Sequence, residues 1–229
     1  VYHSGHTIKI IGLGGIGSIL SEKISRFINY SNTKANVTLI DGDEYETKNF
    51  ERQDFSNMGN KAQVKSFELQ SKFNNIEFKS FPFYVNKDVI DTLIEDGDTV
   101  FLAVDNHKTR KLVSDYSKSL NNITLISGGN DYVDGNVQIY VRKGGEDLTP
   151  SLTDYHPEID EPDDKSPDEM SCQELSAAGE PQLYFTNLAA ATLMCCAFYN
   201  VLQENYKNSE AYFDITTMKV DSKSRELKK

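Results

Sequence analysis

The sequence predicts an α/β fold: a Rossmann-like, doubly wound and mainly parallel sheet, with additional antiparallel strands in the C-terminal half. Three observations carry this expectation. A short apolar run leads straight into a glycine-rich loop, an amphipathic stretch and a second apolar run that ends in a carboxylate. Strand-like and helix-like segments then alternate as far as residue 126. Beyond Gly128-Gly129 the pattern changes to the two-residue alternation of strands with one solvated face.

The first strand is read at residues 8–11, entering Gly12-Leu13-Gly14-Gly15-Ile16-Gly17-Ser18. Ile19, Leu20, Ile24, Phe27 and Ile28 then recur at helical spacing, and residues 36–41 form a strand closed by Asp41. Together these make a β-loop-α-β unit, the first half of a nucleotide-binding sheet. Helices are expected at 61–73, 89–94 and 107–120, and strands at 75–83, 99–104 and 123–126. Such regular alternation implies parallel strands with helices on both faces. Residues 135–142 and 212–220 read as antiparallel strands, and 154–169, rich in Asp, Glu and Pro, as a mobile acidic loop. No linker divides the chain, so 1–229 is read as one domain with a nucleotide-binding half (1–128) and a partner-binding half (129–229).

With 229 residues and a net charge of -11, the chain can bury one sizeable core but lacks the basic face of a non-specific nucleic-acid binder. An anionic ligand must be held by locally placed cations and backbone amides. The three cysteines, Cys172, Cys195 and Cys196, form no disulfide framework, and no signal-peptide core is seen at the start, so a reducing cytoplasm is expected. Residues 181–203 carry no charge; interrupting Asn and Thr residues favour a core helix over a membrane span, with Cys195 and Cys196 in the core.

Gly12, Gly14 and Gly17 match G-x-G-x-x-G between a strand and a helix. There glycine lets the backbone approach phosphate and the helix N-terminus supplies amide donors. Asp41, at a strand end, can accept hydrogen bonds from ribose hydroxyls, which suits NAD as well as ATP. Asp43 follows two residues later, where a solvated carboxylate and a functional one fit equally. Asn49, Arg52, Gln53 and Lys61 then place two cations and two amides just beyond the ribose carboxylate. A triphosphate under attack needs such fixed cations and a dinucleotide does not. Asp105 ends another strand, followed by Asn106 and, a turn into the next helix, Arg110. Asp105 can hold Mg²⁺ against phosphate oxygens, or serve as a helix cap.

The order G-x-G-G-x-G-S, D-x-D, N-x-x-R-Q, G-x-K-A and D-N-x-x-x-R resembles the adenylation domain of the ThiF/MoeB/HesA family and of ubiquitin-activating enzymes. The resemblance implies ATP and Mg²⁺ as cofactors. It implies contact with the nucleotide from Gly12, Gly14, Gly15, Ile16, Gly17, Asp41, Asp43, Asn49, Arg52, Gln53, Lys61, Asp105, Asn106 and Arg110. Arg52, Lys61 and Asp105 would be catalytic, with Asp105 on the metal. The implied partner is a ubiquitin-like (β-grasp) or sulfur-carrier protein, or a C-terminal peptide, whose carboxylate attacks the α-phosphate; a homodimer is implied too. Met170-Ser171-Cys172-Gln173-Glu174, with Gly179-Glu180-Pro181 after it, is similar to the segment in which some members carry a thioester-forming cysteine, which would be Cys172. Gly128-Gly129-Asn130, read as a turn, residues 135–138 and the strand near 212 resemble the ThiF proteins of PRTRC systems.

Two departures shape the expectations. No C-x-x-C pair occurs, so zinc is not expected. Dimers of the family often reach an N-terminal arginine across to the other subunit's ATP; with the first strand read so close to Val1, Arg26, Arg110 or a partner would supply that charge, or activity would be reduced. The alternatives are a non-catalytic ATP-binding subunit of a heteromeric complex, or an NAD-dependent oxidoreductase that leaves Arg52, Lys61 and Asp105 without a role.

Overall fold

The structure is a computed structural model that describes residues 6–31, 34–51, 53, 55–170 and 182–228. Strands β1 (His6–Ile11), β2 (Ala35–Ile40), β5 (Ile76–Phe81), β6 (Thr99–Leu102) and β7 (Ile123–Asn130) are parallel, in the order β5-β2-β1-β6-β7. Strands β8 (Asp134–Lys143), β10 (Glu210–Asp214) and β11 (Lys219–Lys223) extend the sheet antiparallel beyond β7, and β9 (Glu146–Asp147) pairs with β8. The order reverses at β1, whose neighbours are β2 on one side and β6 on the other. Ligands of doubly wound sheets bind at the carboxyl ends beside that reversal.

Alternation of side chains along each strand builds one core on each face. Ile8, Ile10, Val37, Leu39 and Ile126 pack with helices α1 (Gly15–Tyr30) and α2 (Lys61–Lys72). Ile11, Ile40, Leu102, Leu125 and the fully buried Tyr140 pack on the opposite face with α3 (Ile90–Leu93), α4 (His107–Lys118) and α5 (Pro157–Asp160). The uncharged helix α6 (Tyr184–Leu202) joins the first core through Ala190, Ala191, Met194, Ala197 and Phe198, with the Phe198 ring edge-on to Phe101 and Phe27. By length and composition α6 could cross a membrane, but one side of it is packed on α1 and the sheet.

Four readings need correction. Residues 154–169, read as a loop, hold two short helical elements: α5 buries Ile159, and a 3-10 turn at Pro167–Glu169 carries a capping box. Acidic residues here are neutralised by specific donors. Lys111 binds Asp160 at 2.9 Å, and the α4 amides of His107 and Lys108 donate to Asp164 at 2.5 and 3.0 Å. Gly128-Gly129-Asn130 is not a turn but the end of β7, paired with residues 135–137 of β8. The expected strand at 212–220 is a hairpin of β10 and β11, turned where Asp214 caps Thr216 and Met218 takes a φ of 54°. Cys195 is partly buried and packs against the first core, but Cys196, the next residue round the helix, is exposed.

Candidate active site

The glycine loop takes the geometry its composition requires. Gly12 has φ 85°, and a side chain there would meet the Ala103 carbonyl at the end of β6. A β-carbon on Gly17 would sit 1.9 Å from the Gly12 carbonyl oxygen, so the loop folds flat against the start of α1. Gly14 is the N-cap of α1 and supplies no side-chain bond; the first turn holds no acidic residue, and a β-carbon at Gly14 would project into open space. The first amides of α1 are therefore uncapped by side chains, in a setting that favours an anion.

Asp41 lies just past β2 and is 8% exposed. Its carboxylate accepts from the Leu13 amide at 2.5 Å and from the Asp43 amide at 2.8 Å, joining the glycine loop to the end of β2. Burial pushes its carboxyl up to about 6; Asp43 adds to this and Lys61 opposes it. The chain then leaves the sheet at β3 (Glu44–Tyr45) and returns at β4 (Gly59–Asn60), whose pairing sets Lys61 beside Asp43. The Lys61 ammonium, 5% exposed, lies 2.9 Å from an Asp43 oxygen, and Asn60 Nδ2 ties the carbonyls of Asp41 and Asp43. Within the excursion Asn49 is buried, its Oδ1 accepting from the Glu46 amide at 3.0 Å. Gln53 is buried as well, and its Oε1 has no partner among the described residues. Arg52 and Cys172 lie outside the described residues.

Asp105 stands exposed beyond β6, and among the described residues it makes no hydrogen bond or ion pair. Asn106 is the N-cap of α4, its Oδ1 accepting from the Thr109 amide at 2.8 Å. Arg110 is 6% exposed and turned into the fold. It donates to Ser127 Oγ at 2.7 Å and to the carbonyls of Val104 and Gly128 at 2.6 and 2.8 Å. Burial lowers its guanidinium to about 10, partly offset by Asp105 and Asp164. The structure thus gives Arg110 the role of a clamp between β6, α4 and β7. Arg26 is exposed and paired with Glu22 at 3.1 Å.

Sequence reasoning missed Tyr84, whose hydroxyl donates to Asp43. A β-carbon on Gly42 would lie 2.8 Å from three atoms of its ring, so the ring packs on that backbone. Burial, followed by the carboxylates of Asp43, Asp41 and Asp105, holds its phenol above the ordinary range. Its position just past β5 was the available signal, the same reason that singled out Asp41. Also missed was the buried pair of Lys65 and Glu68 at 2.8 Å, with Lys65 4.4 Å above the Phe55 ring.

Asp105 alone does not make a metal cage, and no group of three metal-ligating residues occurs among the described residues. A single exposed carboxylate, with no partner among the described residues, nonetheless fits Mg²⁺, which takes one or two carboxylates and completes its shell with phosphate and water oxygens.

Solved structures of similar fold include E. coli MccB with ATP, at 17% identity and TM-score 0.72, covering 96% of this chain and 63% of that one. E. coli MccB with AMPCPP and MccA (18%, TM-score 0.71, 96% and 63%) and PaaA (16%, TM-score 0.68, 96% and 64%) align as well. The chain thus spans a little under two thirds of the length of these structures. No curated protein matches it by sequence. The family model described as ThiF family matches residues 4–229, and the chain belongs to that family.

Proposed function

We propose that the chain adenylates a C-terminal carboxylate with ATP, the acceptor being a peptide or a small β-grasp carrier protein. The observation that carries this reading is the cluster Asp41–Asp43–Lys61 beside the uncapped start of α1, with the exposed Asp105 next to it at the same sheet reversal. In this reading Asp41 accepts from the ribose hydroxyls and the α1 amides receive phosphate. Lys61, with Arg52 and Asn49, meets the negative charge that develops on the triphosphate. The acceptor carboxylate oxygen forms a bond to the α-phosphorus, the bond from that phosphorus to the bridging oxygen breaks, and pyrophosphate leaves. Asp105 is the residue that would hold Mg²⁺, which supplies neutralisation of phosphate charge. MccB in the structures above was captured with ATP and with MccA, which favours a peptide acceptor.

Cys172 is the proposed site of onward acyl transfer: its thiolate would attack the adenylate carbonyl, forming a thioester and releasing AMP. The test is an adduct cleaved by hydroxylamine or excess thiol, stable to a phosphine reductant, and absent in Cys172→Ser. A second copy of the chain is proposed to cover the outer side of α6, where Phe185, Thr192, Cys196 and Tyr199 are exposed and uncharged beside Phe27 of α1. For a chain of net charge -11, an uncharged face is where a like-charged copy approaches without repulsion. Such a pair, working in a reducing cytoplasm, would become monomeric in Phe185→Glu.

The adenylation reading is tested by incorporation of labelled pyrophosphate into ATP in the presence of peptide acids and small β-grasp proteins. Exchange with any of them supports it. Measurable ATP binding without exchange, or NAD reduction in its place, would overturn it.

A further inference from the structure

The face that α6 turns to α1 is made of Ala190, Ala191, Met194 and Phe198, with one polar intruder near its start. Asn187 is 0% exposed. Its Oδ1 has no hydrogen-bond partner among the described residues, and its Nδ2 reaches Gln182 only at 3.5 Å. A buried amide left so poorly paired is unfavourable, and an alanine or leucine would fill the same apolar seam without that penalty. Its neighbour accounts for its presence. A β-carbon on Gly15, the first residue of α1, would fall 2.1 Å from Asn187 Nδ2, 2.5 Å from its Cγ and 2.8 Å from its Oδ1. Those are the three nearest atoms, so Asn187 is what makes residue 15 a glycine.

The contact joins two regions far apart in sequence. Residue 15 opens the helix whose uncapped amides form the anion site, and residue 187 belongs to the first turn of a helix in the C-terminal half. An amide side chain wedged against the Gly15 backbone fixes where the first turn of α1 sits relative to the sheet. It therefore fixes the direction of the amides at residues 15–17.

We infer that Asn187 is a positioning residue of the nucleotide site, acting through Gly15 to hold the phosphate-facing turn of α1. The inference rests on the adenylation reading only in taking that turn as the ATP phosphate site. It is distinct from fold maintenance, since a purely structural contact would change stability and leave the affinity of the folded protein alone.

A size-exchange set decides the matter: the unsubstituted chain, Gly15→Ala, Asn187→Ala and the double variant. ATP affinity is measured by calorimetry well below each melting temperature, and melting is recorded for each. Gly15→Ala should weaken ATP binding by about tenfold, the effect of one overpacked methyl group. Asn187→Ala should weaken it several-fold with the protein still folded. The double variant should recover most of the loss in Gly15→Ala, because the new methyl occupies the space the amide vacated. If Gly15→Ala does not fold, recovery of folding and ATP binding in the double variant carries the same weight. A double variant no better than Gly15→Ala, or Asn187→Ala binding ATP as tightly as the unsubstituted chain, would overturn the inference. Should the unsubstituted chain bind no ATP, the adenylation reading fails and the positioning role falls with it. Non-additive melting shifts would then still show that residues 15 and 187 are coupled, separating the two failures.

Discussion

Two clusters of buried charge in this molecule are finished differently, one at the strand reversal around β1 and one on β10 towards the antiparallel edge of the sheet. In the C-terminal cluster every carboxylate oxygen of Glu210 is used. Oε1 meets His156 Nε2 and the Tyr212 hydroxyl at 2.5 Å, and Oε2 accepts from Arg225 Nε at 2.7 Å. Burial pushes the Glu210 carboxyl up, yet His156, Tyr212 and Arg225 together outweigh it and hold it down at about 2. Around the strand reversal and the start of α1, polar groups are left over. Asp105 has no partner among the described residues, Gln53 and Asn187 each hold a buried oxygen without one, and the α1 amides have no side-chain cap. A closed network stabilises a fold, whereas an unfinished one is available to a ligand, since unpaired buried groups are unfavourable until something meets them.

The contrast can be broken most forcefully by Lys61→Ala. Removing a fixed cation from a charge-developing site should lower pyrophosphate exchange by about 10²–10³-fold. Circular dichroism and exchange kinetics on the same sample would check that folding survives while exchange does not. Glu210→Gln should do the opposite, destabilising by about 3 kcal/mol because His156 and Arg225 lose the carboxylate they share, while leaving exchange near normal below melting. Arg110→Ala should lower stability by about 2 kcal/mol, because the Ser127 hydroxyl and the carbonyls of Val104 and Gly128 lose their donor. A loss of ATP affinity in that variant, with melting unchanged, would instead return Arg110 to the phosphate site.

Smaller effects follow from pH. Asp41 is an acid whose folded pKa is raised to about 6, so its favourable contribution to stability is complete below about 4 and lost as pH rises through 6. In the proposed role of ribose acceptor it would work ionised, so ATP affinity should weaken as pH falls below about 6. Calorimetry at several pH values should show this limb, and Asp41→Asn should flatten it. His156 is raised by Glu210 and Glu158 against the opposing effect of burial. Its contribution is full below about 6.5 and lost as pH rises through the raised value. Thermal melts of His156→Gln should lack that alkaline decline.

The first cluster was largely legible in the sequence and the second was not, for a physical reason. Gly12, Asp41, Lys61 and Asp105 sit at ends of strands and starts of helices, and those ends are visible as breaks in hydrophobic periodicity. Position alone marks them as facing the crevice. His156 and Glu210 meet across 54 residues, and Asp164 meets the start of α4 across 57, with no local pattern to announce either contact. The same distance effect turned an acidic segment that reads as solvated into one fastened to α4. Arg110 shows the converse limit: its place one turn into α4 suggested the ligand, but helical phase aims its guanidinium at β7.

The most direct test compares pyrophosphate exchange in Asp105→Ala and Glu210→Gln at one temperature below both melting points. The account predicts that Asp105→Ala, with its exposed side chain, melts like the unsubstituted chain but loses exchange by about 10²-fold or more. Glu210→Gln should melt earlier and keep its exchange. Retention of exchange by Asp105→Ala would contradict the assignment of the unfinished cluster as the catalytic site.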